Sequence, residues 1–586
     1  MSRPEGASAR ARVAGRGGGA APGVFAAAGL IAVVTLVARA FGFGRWLVFS
    51  QSVGATCVGS VYQAANQLPN VVFEIAAGGV LAAVVVPIIA GQLAREDRAA
   101  AAQTASAMFT WTLTLLVPLS ILMAAAARPL STLLVDDRRC AGSTDLMASM
   151  LVVFAPQIAL YGVGIVLAGV LQAHRRFLGA VATPLLSSIV VMAAYLLYAS
   201  LAQGRGDDVE RLPGQASMAL AVGTTLGVAA LSLPLLLSVH RAGIRLRPTW
   251  TFPDGVARRA SALAAAGLLA LVAQQVAVLV TLWLTQHRGG PGTLNVYIYV
   301  QAVYLLPYAV LAVPIAMSAL PALAAGDRDA LAAGGQDTLA AGDGDALVAR
   351  GQASLAGAQS TLASSARAIV VATCTGSAVL FAIASPTGAF FSALDAGRNS
   401  PAGKQALAAL PDALSAFSPG LVGFGLAALL TRALYVQGRP AVAGGLVALG
   451  WLVTAFVPLV MLKDAGPRST LQLLGFASSL GMSVAAVGLF LAARRAWGPE
   501  AFRGFGRSAL VALVAGLLSA TVGRSLAAAL RPDGLVSGAV VAVLVAVSVV
   551  GLCVLSIWVA DRDSARLVMA RLPGGQREIK GVRGNR

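Results

Sequence analysis

The chain has 586 residues, of which 58% are hydrophobic and 11% charged, and a mean hydropathy of +0.79. A soluble domain carries about 25% charged residues, so this composition excludes a soluble globular fold and indicates an integral membrane protein. The net charge of +19 does not point to nucleic acid, because the basic residues stand mainly between apolar stretches, where they set orientation and meet anionic headgroups.

Residues 1–22 are rich in Gly, Ala and Arg and read as a disordered basic cytoplasmic tail. The apolar stretch from Val24 runs on into Arg39 without a cleavage site, so it reads as a first span rather than a signal peptide. A span needs roughly 20 apolar residues, and about fourteen stretches qualify. The first six are 24–48, 58–91, 101–127, 145–172, 178–201 and 217–239, forming an N-lobe over 23–240. The next six are 257–286, 294–324, 362–386, 406–435, 441–462 and 469–493, forming a C-lobe over 241–500. Two more, 508–530 and 535–560, occupy 501–561, and 562–586 is a second basic cytoplasmic tail. Most Lys and Arg outside the spans fall on one side when both termini are cytoplasmic, which sets the expected orientation.

The halves resemble each other. Phe154, Pro156, Tyr161, Gly162, Leu171 and Arg176 in span four recur as Phe417, Pro419, Phe424, Gly425, Leu434 and Arg439 in span ten. Leu68-Pro69 before Pro87 in span two recurs as Leu306-Pro307 before Pro321 in span eight. Both pairs are six spans apart, an even number that preserves direction. The expected fold is therefore all-α and polytopic, with two parallel six-helix lobes around a central cavity and two C-terminal helices. Within 326–360, an octad repeats with Leu331, Leu339, Leu347 and Leu355, which reads as a low-complexity loop insertion.

Charges at membrane depth are costly and usually face a cavity. Arg39 and Arg45 lie in span one, with Gly42 and Gly44 between them as a candidate bend. A guanidinium presents a planar fork suited to phosphate oxygens, so an anionic, pyrophosphate-bearing ligand is the natural match. Glu74 follows Pro69 in span two and precedes the flexible Gly78-Gly79, with Asn66, Gln67 and Asn70 around it. It is a candidate counter-ion for the arginines, a carrier of a coupling proton or sodium ion, or a structural ion-pair partner. Gln274, Gln275 and Gln301 in spans seven and eight, and Arg432 in span ten, complete the candidate path. Pro69, Pro307, Pro314 and Pro419 mark expected kinks. Cys57, Cys140, Cys374 and Cys553 are widely separated and show no CxxC or zinc spacing, so neither a disulfide framework nor a metal site is expected. The chain carries no catalytic motif and no ATPase motif, so it reads as a non-enzyme. No cofactor is expected, and transport would draw on a proton or sodium gradient, the membrane potential or the substrate's own gradient.

The run from Ala38 through Arg39, Gly42 and Arg45, then Gly54-Ala55, Ala65-Asn66-Gln67-Leu68-Pro69-Asn70, Gly79 and Pro87, resembles the MurJ (MviN) family, in its actinobacterial form. Leu306-Pro307, Pro321 and the stretch from Arg432 through Tyr435 to Arg439-Pro440 share the resemblance, which covers roughly residues 25–500. It implies membership of the multidrug/oligosaccharidyl-lipid/polysaccharide exporter superfamily and flipping of lipid II across the cytoplasmic membrane by alternating access, for cell-wall biosynthesis. It also implies lipid II or a related undecaprenyl-pyrophosphate glycan as substrate, membrane lipids around the tail, and the cell-wall synthesis machinery as partner. Arg39 and Arg45 match the family's cavity arginines. Charged family positions fall here at Trp46, Ser60, Phe73 and near Ala302. Two other readings stay open beside the flippase: an exporter of another polyprenyl-linked saccharide or amphipathic drug, and a transport-inactive cell-wall scaffold.

Overall fold

The computed structural model describes residue 37 and residues 41–561, apart from 175, 255, 335–343 and 397–399. Arg39 therefore lies outside the described residues. The described chain is helical throughout its apolar stretches, because backbone polar groups in lipid must be paired within their own segment. In the first half α1 covers 41–52, α2 Cys57–Phe73, α3 Gly79–Ala94, α4 Arg98–Ala125, α5 Ala127–Leu134 and α6 Ser143–Phe154. α7 (Gln157–Ala173), α8 (Phe177–Leu201), α9 (Gly214–Ser232) and α10 (Pro234–Arg241) complete it. The second half runs through α11 (Val256–Leu284), α12 (Thr293–Pro307), α13 (Val313–Gly334), α14 (Gly344–Ala382), α15 (Ala384–Leu394) and α16 (Pro401–Ala408). α17 (Leu410–Phe417), α18 (Gly420–Val436), α19 (Pro440–Met461) and α20 (Pro467–Trp497) follow, then α21 (Phe505–Leu530) and α22 (Leu535–Ala560). Among the described residues eleven helices are long and apolar enough to cross a membrane, or twelve when α16–α18, bent by 48°, counts as one span. Of the fourteen expected spans, the first is mostly outside the described residues and the second is interrupted by a π turn.

The internal repeat has a structural counterpart. Span four breaks between Phe154 and Gln157, at Pro156, and span ten breaks between Phe417 and Gly420, at Pro419. Proline lacks the N–H that would continue the ladder, so the same break is made twice. A π turn covers Glu74–Gly78 after Pro69, and another covers Tyr308–Ala312 directly after Pro307. The expected flexibility at Gly78-Gly79 therefore takes the form of a π bulge that begins at Glu74 and ends at Gly78. Gly42 and Gly44 differ from expectation: both sit inside regular helix, and a methyl group built at either meets nothing within 4 Å. Glycine permits a bend but does not compel one, and intact helix keeps the backbone groups satisfied.

Two further expectations are corrected. The octad segment is not a plain loop: α13 reaches Gly334 and α14 begins at Gly344, so helix enters the repeat from both sides and span nine starts well before 362. Ala, Leu and Gln are strong helix formers, which explains it. Cys57 and Cys140 form a disulfide across 83 residues of sequence, with Cα atoms 6.0 Å apart. The sequence spacing carries no such signal, because the pair is brought together by α2 and the α5–α6 connection packing side by side.

The apolar core shows where the halves are joined. Around the disulfide end one cluster unites Phe49, Tyr62, Phe154 and Tyr195 of the first half with Tyr299, Phe391 and Phe417 of the second. The Tyr299 ring stacks on Phe391 at 4.8 Å and lies 6.3 Å from Phe49. At the other end the halves have separate cores, one around Ile89, Ala105 and Leu167, the other around Leu323, Leu362 and Trp497. The two halves thus share one core at the disulfide end and have separate cores at the opposite end, where α11 of the second half packs against α3 of the first.

Candidate functional site

Glu74 opens the π turn of span two, on the stripe that also carries Gln67 and Asn70, spaced so that the three share one helix face. α11 packs against this stretch, and its Gln274 and Gln275 face it. Together they line a cavity of about 220 Å³ that also touches Leu271 and Val278. The cavity lies between the two halves of the chain. It gathers five of the residues singled out from sequence, Gln67, Asn70, Glu74, Gln274 and Gln275. Glu74 is half-buried, Gln275 is buried, and among the described residues Glu74 has no ion-pair partner. It is the one carboxylate lining the cavity.

Arg45, on α1, is half-buried and stands apart from that cavity. Its guanidinium lies 5.2 Å over the Trp46 ring, the residue that stands where the family resemblance leads one to expect an acid. Its charge reaches the hydroxyls of Tyr62, Tyr161 and Tyr195, and its buried Nε finds no hydrogen-bond partner among the described residues. Asn66 Oδ1 and Gln63 Nε2 on α2 are likewise buried and unpaired. A buried polar atom without a partner costs roughly 1–3 kcal/mol, and these three lie on α1 and α2. Arg432, on α18, turns back to donate to the Ala428 carbonyl of its own helix, and its charge reaches Tyr308 and Tyr435. It does not line the Glu74 cavity. Gln301 donates to the Tyr297 hydroxyl at 3.1 Å and acts in packing.

Sequence reasoning missed the closure above the cavity. The Gly292 amide donates to Ser60 Oγ at 2.7 Å, the Gln286 side chain donates to the Ser60 carbonyl at 3.0 Å, and the Asn295 side chain donates to the Gly54 carbonyl at 2.6 Å. Each bond joins the first half to the second. Gly59 and Gly403 make the approach possible, since across this contact a methyl group on Gly59 would run into the Asn295 side-chain amide and one on Gly403 into the Ala55 carbonyl. Gly292 sits at φ +80, in the left-handed region that favours glycine. The signal available in sequence was Ser60 itself, a small hydroxyl at a position expected to be acidic.

An all-helical membrane bundle of two similar halves, sealed at one end and holding a polar cavity between them, is the architecture of alternating-access transporters. The fold is shared with a solved structure of the lipid II flippase MurJ in an inward closed conformation, at 14% identity and a TM-score of 0.66, covering 91% of this chain and 99% of that one. It is shared too with an inward-facing multidrug resistance MATE family transporter of the MOP superfamily, at 14% identity and a TM-score of 0.55, covering 80% and 94%. The chain belongs to the lipid II flippase MurJ family, whose model matches residues 49–544. A probable lipid II flippase MurJ from Rhizobium meliloti (strain 1021) is 26% identical over 304 residues, 50% of this chain and 53% of that protein. The chain thus aligns with about half the length of that curated relative.

Proposed function

We propose that this protein moves lipid II, the undecaprenyl-pyrophosphate-linked peptidoglycan precursor, between the leaflets of the cytoplasmic membrane. The single observation that carries the reading is the Glu74 cavity, polar and lodged between the two halves of the bundle. Family membership supplies the substrate class. The halves would rock against each other and break the Ser60 contacts at the disulfide end, exposing the cavity to that side. Arg45 and the unpaired Asn66 and Gln63 atoms suit the anionic and hydrogen-bonding parts of a phosphorylated saccharide headgroup. Glu74 is the group through which a proton or sodium gradient would couple to movement.

The disulfide supports an orientation. Disulfides persist in oxidising compartments and not in the cytosol, so the Cys57–Cys140 end faces outward and the opposite end faces the cytoplasm. The excess of basic residues on the opposite side argues the same way, on independent chemistry. This makes the structure closed to the outside.

The test is depletion of the protein with measurement of lipid II accessible on the outer leaflet. Outward lipid II should fall and be restored by wild type but not by Glu74→Gln. Unchanged outward lipid II in cells without another flippase would overturn the reading.

A further inference from the structure

The first turn of α2 carries both the disulfide and the contacts between the halves. Cys57 opens the helix, and Gly59 and Ser60 follow within that turn. α1 does not run straight into it, because residues 53–56 leave the helix and Gly54 sits at φ +70. A helix end with nothing regular before it frays unless it is held from outside. Here the hold comes from the first half. The Cys57 amide donates to Asp207 Oδ1 at 3.0 Å and the Val58 amide to the Gly206 carbonyl at 2.9 Å, both in the connector 202–213 between α8 and α9. The Gly59 amide donates to Thr56 Oγ1 at 3.1 Å. The covalent hold is the bond from Cys57 to Cys140.

Cys140 stands on a firm base. It lies in the connector 135–142, which Asp137 ties to α6 by accepting from the Ser143 hydroxyl at 2.8 Å and the Thr144 amide at 2.9 Å. The same connector leans on the second half, since a methyl group on Gly290 would lie 3.0 Å from the Arg139 guanidinium. Cys57, Ser60 and Cys140 line one crevice with Gln286 and Pro291 of the second half. The bond therefore borders the contact between the halves without crossing it. Both cysteines belong to the first half, so rocking of one half against the other leaves the bond unstretched. Cys57 is buried but Cys140 is half-buried, so a small reductant reaches the bond from the Cys140 side.

We propose that the Cys57–Cys140 disulfide is a redox-sensitive brace of the closure at its end of the bundle. Oxidised, it holds the first turn of α2 where Gly59 and Ser60 meet the second half. Opened by a dithiol, it lets that turn loosen and the closure give way. In the exchange a thiolate of the dithiol attacks one cysteine sulfur, and the other cysteine leaves as a thiolate and takes a proton. The second thiol of the reductant then displaces the first cysteine, so two electrons pass to the protein and the reductant ends as a disulfide. The inference concerns the closure and holds whatever the cargo.

The test is hydrogen–deuterium exchange of the full-length protein in nanodiscs, with and without dithiothreitol, below the melting temperature of the reduced form. Cys374 and Cys553 are already free, so the reductant acts on one bond. Exchange at a protected amide follows the population of the open form. The Gly292 amide, which donates to Ser60 Oγ, reports the closure directly. Reduction should speed exchange in peptides 57–64 and 290–297 about fivefold, the weight of one buried hydrogen bond. Reoxidation should restore the slow rate, and Cys57→Ser with Cys140→Ser should be fast in both conditions. Unchanged exchange in 290–297 on reduction overturns the brace, as does a double variant as slow as the oxidised wild type. An equal acceleration in 163–171 of α7, in the core at the opposite end, also overturns it, because the bond would then staple the whole fold and not the closure. No lipid II enters the measurement, so a failure here leaves the proposed cargo untouched.

Discussion

Ser60 and Gln286 lie 226 residues apart and meet across the two halves, the Gln286 side-chain amide donating to the Ser60 carbonyl at 3.0 Å. The Gly292 amide donates to the Ser60 hydroxyl beside it at 2.7 Å. Ser60 is buried, so these bonds are made away from water and their loss is felt in full. Ser60→Ala should shift the closed state by about 1 kcal/mol, roughly a fivefold change in the closed-to-open ratio. Gly59→Ala is the stronger variant, because its methyl group would strike the Gly54 carbonyl and the Asn295 amide. Spin labels on the disulfide-end tips of α2 and α12 should report a longer distance in Gly59→Ala than in wild type. An unchanged distance would show that this contact does not hold the end shut.

Removal of the disulfide should lower stability without abolishing the fold. Chain-entropy arguments for a loop of this length give about 4.5 kcal/mol as an upper figure. Cys57→Ser with Cys140→Ser, or wild type under reductant, should therefore melt at a lower temperature in detergent. In intact cells a membrane-impermeant thiol reagent should label Cys57 and Cys140 only after reduction from outside. Labelling that requires permeabilised cells would reverse the proposed orientation.

Glu74→Gln keeps the shape of the side chain and removes its charge. Hydrogen bonds to charged groups are worth about 1.5–3 kcal/mol, so transport should fall by about 10- to 100-fold while the melting temperature stays close to wild type. A transport assay in proteoliposomes under an imposed gradient reads this directly. Full activity in Glu74→Gln would remove the carboxylate from the mechanism.

Asp137 gives the expected pH dependence. Its partial burial pushes the carboxyl upward, but the Thr144 amide, donating at 2.9 Å, and the Ser143 hydroxyl, at 2.8 Å, outweigh this and hold it below the usual carboxylate range. A carboxylate lowered in the folded state stabilises above its unfolded value of about 3.9 and loses that contribution as pH falls through the lower folded value. Asp137→Ala should cost about 1 kcal/mol at neutral pH, as for a lost helix cap, and the difference from wild type should vanish in strong acid. A difference that persists at low pH would assign the cost to packing.

Much of the fold was legible because it rests on local rules. The scarcity of charge and the length of the apolar runs dictated a helical, membrane-spanning chain, since lipid leaves backbone groups no other partner. The recurrence of Phe154 and Pro156 as Phe417 and Pro419 announced two like halves, because proline breaks a helix at the same place wherever it stands. The one acid expected deep within a span, among apolar neighbours, singled out Glu74, because an ionised group in lipid is too costly to keep without a cavity. Tertiary structure alone decided the rest. Whether Cys57 meets Cys140, whether Ser60 faces Gln286, and whether Gln275 rather than Arg432 joins Glu74 depend on the rotation and register of one helix against another. Those are set by packing over the whole bundle, where a turn of a third of a helix moves a side chain from the cavity to the lipid, and apolar sequence records that rotation only weakly.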